Sequence, residues 1–131
     1  MEVKYNGATR NRPWGERPID APLIPVDLHA YAEELTQEEA WQKYDRNAIT
    51  VFKTDSISVT LIALHKNAEM KPATVDGTGI MTLQVLDGMI KFKSEKECLE
   101  LNRGQMIALH EHMPYTAVAN EDSICLLTMA R

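Results

Sequence analysis

From Ala48 to Arg131 the apolar residues recur at every second position, in short runs separated by turn residues. No other feature limits the fold as strongly, because period two places alternate side chains on opposite faces and belongs to strands. Candidate strands are 49–53, 57–65, 72–75, 79–86, 89–93, 97–101, 105–109, 115–119 and 123–130. Asp87-Gly88, set between Val85-Leu86 and Met89-Ile90-Lys91-Phe92, is a tight-hairpin dipeptide. Asp76-Gly77 with Gly79, Asn102-Arg103-Gly104 and Asn120-Glu121-Asp122 punctuate the rest. Short strands at this spacing predict an all-β sandwich or barrel. No helices alternate with them, which excludes a parallel βαβ sheet.

Upstream of Ala48 the pattern is different. Four of the six prolines, Pro13, Pro18, Pro22 and Pro25, fall within residues 1–26. Proline fixes φ and removes a donor, so this segment reads as an extended arm, pinned by Trp14 and Ile19. Asp27 is a helix N-cap, followed by Leu28, Tyr31, Ala32 and Leu35 at helical spacing. Thr36 with Glu39 has capping-box spacing and predicts a second helix through Trp41 and Tyr44. The expected organisation is one domain: an arm and short helices over 1–47, packed on a barrel over 48–131.

Lys and Arg are scattered in a chain of net charge −5, with no basic patch interleaved with aromatics, which argues against nucleic acid as a partner. No glycine-rich phosphate loop occurs. There is no apolar signal segment and no run of about 18 apolar residues, so the expectation is a cytoplasmic protein without a membrane partner. Cys98 and Cys125 lie far apart and form no CxxC; free thiols packed as small apolar groups are expected.

The run from Ser56 to Leu127 resembles the cupin family, in its small RmlC-like form. Two stretches carry the resemblance. Ala68-Glu69-Met70-Lys71-Pro72 through Gly88 is similar to the first cupin motif, which ends in a strand and a hairpin glycine. Gly104 through Ala119 is similar to the second, which runs from a glycine turn through a strand to a Pro-His pair and a last strand. The resemblance implies a double-stranded β-helix, or jelly-roll barrel, often homodimeric, with a site inside its mouth. In many cupins histidines and a carboxylate hold a divalent metal there. Carried over, the first motif's two histidines fall on Thr74 and Asp76, its glutamate on Met81, and the second motif's histidine on Tyr115. None of the four keeps the usual residue. First-row metals favour imidazole and carboxylate, so no cofactor is expected at this position.

Other chemistry-bearing residues are few. His29 belongs to the first helix. His110 and His112 are spaced to share a strand face and, with Asp76, make an alternative metal set; as turn residues at a barrel rim they are read first as solvated or hydrogen-bonded, with a substrate-facing role as a further alternative. Asp76 and Tyr115 form a second pair able to bind a polar ligand, although Asp before Gly is itself a common turn dipeptide. Ile62-Ala63-Leu64-His65 recurs as Ile107-Ala108-Leu109-His110, a faint internal echo that suits a barrel of two similar halves. Three readings stay open. The first is metal-free binding or sensing of a small molecule through Thr74, Asp76, Met81, Tyr115 and His112. The second is an enzyme using His110, His112 and Asp76 with a metal, or Tyr115 as an acid. The third is a structural or dimerisation module whose pocket is filled by methionines such as Met81, Met106 and Met113.

Overall fold

The computed structural model describes residues 3–7, 17–71, 79–110 and 113–131. In chain order the elements are β1 (Lys4–Asn6), β2 (Arg17–Asp20), α1 (Leu28–Gln37), α2 (Glu39–Lys43), β3 (Arg46–Lys53), β4 (Ile57–Leu64), β5 (Glu69–Met70), β6 (Ile80–Asp87), β7 (Met89–Ser94), β8 (Cys98–Asn102), β9 (Met106–His110), β10 (Tyr115–Ala119) and β11 (Ser123–Ala130). Among the described residues, no helix is long and apolar enough to cross a membrane.

Two sheets enclose the core. One has the order β3-β4-β11-β6-β9, the other β5-β10-β7-β8, and every pairing is antiparallel. From β4 onward the chain crosses between the sheets at each strand, except at the β7–β8 hairpin. This is jelly-roll winding and agrees with the all-β expectation. The echoed tetrapeptides fall at the ends of β4 and β9, the strands that flank the β11–β6 pair. The expected strand 72–75 lies outside the described residues.

Alternation sorts each strand of the larger sheet into two faces. Ile62 and Leu64 of β4, Met81, Leu83 and Val85 of β6, and Cys125 of β11 point inward, where they meet Ile90, Phe92 and Ala117 of the second sheet. Leu61 and Ala63 of β4 and Ile49 and Val51 of β3 point outward and form a second core with Leu35 of α1, which is fully buried. Both faces of the larger sheet are thus covered where α1 lies, and β4 is buried without interruption from Leu61 to Leu64. Burying a leucine-sized side chain contributes on the order of 2 kcal/mol, so this outer core ties the helices to the barrel.

The N-terminal segment departs from the sequence reading in detail. Asp27 caps α1 as expected, its Oδ1 accepting from the Ala30 N–H at 3.0 Å. The Thr36–Glu39 capping box does not form. Thr36 still belongs to the last turn of α1, and its hydroxyl donates back to the Glu33 carbonyl at 3.1 Å, the usual alternative for a helical threonine. Glu38 takes the N-cap position of α2 without capping it, because its Oε1 accepts from the Asn47 amide at 2.8 Å. The arm is strand in part: β1 pairs with β2, and Pro18 is accommodated in that two-stranded ribbon. Ile19 is buried as expected, while Trp14 lies outside the described residues.

Two glycines hold turns that the sequence marked. Asp87-Gly88 does reverse the chain, but β6 and β7 belong to different sheets and do not pair, so the expected hairpin is a corner between the sheets. The β10–β11 turn packs into that corner. Gly88 has φ +90°, and a Cβ there would sit 2.3 Å from the Ser123 hydroxyl and 2.6 Å from the Asp122 carbonyl oxygen. Gly104 has φ +86° with open space around it, so only its backbone conformation calls for glycine.

Candidate functional site at the Met81 and Tyr115 end of the barrel

Met81 and Tyr115 come from opposite sheets and meet. Met81 is inward because β6 alternates Met81, Leu83 and Val85 onto the core face, and it is almost fully buried. Tyr115 opens β10 opposite Ser94. Its ring packs on Phe92, the diagonal cross-strand neighbour, with centroids 5.4 Å apart and planes at 20°. Its hydroxyl then reaches across the barrel and donates to the Met81 sulfur at 3.4 Å. Two positions that the cupin resemblance assigns to metal ligands are therefore adjacent in space, but their side chains contact one another.

This pair does not fit a divalent first-row metal. A thioether is a soft, weak donor and a protonated phenol a poor one, whereas such ions favour imidazole and carboxylate. Among the described residues, no group of three or more His, Cys, Asp or Glu is placed to hold a metal ion. Thr74, Asp76 and His112 lie outside the described residues. His110 ends β9 opposite Ile80. It is exposed, on the face turned away from Leu109 and Met81. The structure thus joins Met81 to Tyr115 and leaves His110 on the outer surface of the sheet.

The cysteines are both free, Cys98 exposed on β8 and Cys125 in the barrel core. Burial pushes the Cys125 thiol up to about 12, so it is a packing group rather than a nucleophile.

At the opposite end of the barrel lies a polar cluster that the sequence reading missed. The His65 ring stacks on Trp41 of α2, with centroids 3.4 Å apart. Its Nε2 is 2.7 Å from the Trp41 carbonyl oxygen, which can only accept, so Nε2 carries the proton. Its Nδ1 is 3.8 Å from Asp122 Oδ1. That same oxygen accepts from the Lys66 N–H at 2.8 Å. Beside them Arg46 donates to both Asp45 oxygens and to the Glu69 carbonyl. The Arg46 hydrogen bond holds the Asp45 carboxyl below the usual carboxylate range. Together these bonds fasten α2, the start of β3, the β4–β5 turn and the β10–β11 turn. No periodicity links Trp41 to His65 or Asp122, which are separated by 24 and 81 positions in sequence.

No family model and no curated protein matches this chain in sequence. Solved structures match in fold. TT1209 from Thermus thermophilus is similar over 82% of this chain and 97% of its own, with TM-score 0.66 and 17% identity. An RmlC-like cupin from Desulfovibrio desulfuricans matches 65% of this chain and 81% of its own, with TM-score 0.58 and 17% identity. The Cupin_2 domain of an XRE family transcriptional regulator from Enterobacter cloacae matches 66% of this chain and 95% of its own, with TM-score 0.58 and 14% identity. The chain has the cupin fold, as the resemblance implied.

Proposed function

We propose that this cupin-fold chain is a metal-independent domain that binds a small molecule at the Met81 and Tyr115 end of its barrel. The observation that carries the reading is the Tyr115–Met81 contact, 3.4 Å from hydroxyl to sulfur. It replaces two ligand positions of the implied metal site by an uncharged phenol and a thioether. Such a pair suits recognition: methionine adapts its shape, and tyrosine offers an aromatic face with one polar point. The occurrence of a similar cupin domain within a transcriptional regulator supports a sensing use of the fold.

Metal analysis of the purified chain after incubation with manganese, ferrous iron and zinc, followed by dialysis against a chelator, tests the reading. The expected result is far less than one metal ion per chain. A stoichiometric ion that the chelator removes only slowly overturns it, and His110→Ala and His112→Ala variants then locate the ligands.

A further inference from the structure

A polar cavity of about 560 Å³ opens at the same end of the barrel, along the end of the larger sheet. This lies within the size range of small-ligand sites. Its walls come from three adjacent strands. β4 supplies Ser58 and Thr60, which share a face with the inward Ile62 and Leu64. β11 contributes Met129, the strand partner of Met81, and after it Arg131. β3 contributes Thr50, directly opposite Thr60, and Lys53, directly opposite Ser58.

Lys53 reaches this wall because of an irregularity in β3. The register shifts between Thr50 and Phe52, so that Phe52 pairs with Val59 and Lys53 with Ser58. Regular pairing beyond Thr50–Thr60 would set Phe52 opposite Ser58 and turn Lys53 to the other face. The extra residue removes an aromatic ring from the cavity and installs an ammonium group, the re-aiming that β-bulges provide.

The charge of the site follows. Lys53 and Arg131 are its cations, and among the described residues neither side chain has an acidic partner. Asp55 is its single acid, and it lies 3.6 Å from Lys4. Thr50, Ser58 and Thr60 line the same cavity with hydroxyls able to donate. Its side chains carry two positive charges against one negative, in a chain of net charge −5.

We infer that the cavity walled by Thr50, Lys53, Ser58, Thr60 and Arg131 is a binding site for a small organic oxyanion, a carboxylate or a phosphate ester. Charge-assisted hydrogen bonds from the ammonium and guanidinium groups hold the oxyanion, and the threonine and serine hydroxyls complete its shell. This site goes beyond the Met81–Tyr115 pair and does not depend on that contact.

Titrations with citrate and with inorganic phosphate at constant ionic strength, followed by amide chemical shifts in the intact chain, test it. The expected result is saturable binding of at least one of the two, with shifts centred on Thr50, Lys53, Ser58 and Thr60. Citrate alone assigns a carboxylate, phosphate alone a phosphate ester. Lys53→Met weakens binding about tenfold or more, the cost of one charge-assisted bond, while Lys91→Met, which removes an exposed lysine from the other sheet, leaves it unchanged. Lys53 is exposed, so the variant keeps its thermal unfolding midpoint. Absence of saturation by either anion overturns the inference, as does binding that survives Lys53→Met. Shifts centred instead on Met81 and Tyr115 move the site to that pair and overturn it equally.

Discussion

The two ends of this barrel are built from different chemistry. At the end that holds His65, Trp41, Asp45, Arg46 and Asp122, the turns are joined by a ring stack, charge-assisted bonds and backbone hydrogen bonds such as Asn67 N–H to the Ala119 carbonyl, 2.8 Å. At the end that holds Met81, Tyr115 and Met129, a weak hydroxyl–sulfur contact joins the two sheets. Beside it lies a cavity lined by hydroxyls and by cations that have no acidic partner among the described residues. Strong, mutually satisfied polar groups fix geometry and leave few donors to spare. Lys53 and Arg131, without an acidic partner among the described residues, keep donors for a ligand. The first end ties the turns together, and the second is where the proposed binding lies.

The largest expected effect lies in the β6–β7 corner at the first end. Gly88→Ala combines a left-handed φ with overlap onto Ser123 and Asp122. It should cost about 3 kcal/mol or more in denaturant unfolding, whereas Gly104→Ala, strained only in φ, should cost about 1 kcal/mol. Equal costs would remove the close approach at Gly88 from the account.

Next come the side chains that characterise each end. His65→Ala removes the stack on Trp41 and the bond to its carbonyl and should destabilise by roughly 1–2 kcal/mol. Tyr115→Phe removes the bond to sulfur while keeping the ring on Phe92, and should cost under about 0.5 kcal/mol. Urea midpoints of the two variants measure the difference directly, and a reversed order breaks the comparison.

A smaller effect concerns acid. The Asp45 carboxyl is held below its ordinary range by Arg46, so it stabilises the fold above the unfolded carboxylate pKa, about 3.9. That contribution is lost as pH falls through the lowered folded value. Arg46→Met should therefore flatten the acid limb of stability against pH without changing its slope near neutrality. The pair is exposed, so the shift is small.

The thiols provide the finest contrast. Cys98 should react with a thiol reagent in the native protein, and Cys125 only after unfolding. Because the Cys125 thiol is raised to about 12, stability should decline as pH climbs from the unfolded thiol range, about 8.5, toward that value. Two equally fast thiols at neutral pH would contradict the burial of Cys125.

Much of the fold was legible from alternation and turn chemistry. The inward set Met81, Leu83 and Val85, the glycine turn at Gly88 and the Asp27 cap all follow from local rules, and the structure contains each. The cupin resemblance placed Met81 and Tyr115 at one site, and they touch. What could not be read depends on contacts between distant segments. The Asp87-Gly88 dipeptide marks a reversal, but which sheet the next strand joins is decided by partners far away in sequence. Two-residue β5 is too short to show a period. Thr36 has the spacing of a cap but is still inside α1, and the N-cap position of α2 falls two residues later at Glu38. The β3 register shift reverses which of Phe52 and Lys53 faces the cavity, and strict alternation hides it. His65 finds Trp41 only once α2 has docked.

The most direct test of the Met81–Tyr115 end uses methionine ε-methyl resonances, with Met81 read against Met89, whose sulfur accepts from the Asn120 amide at the opposite end. One equivalent of zinc should leave the Met81 resonance unmoved. A saturable shift of Met81, complete at one equivalent and absent at Met89, would contradict the account and restore a metal to the barrel mouth.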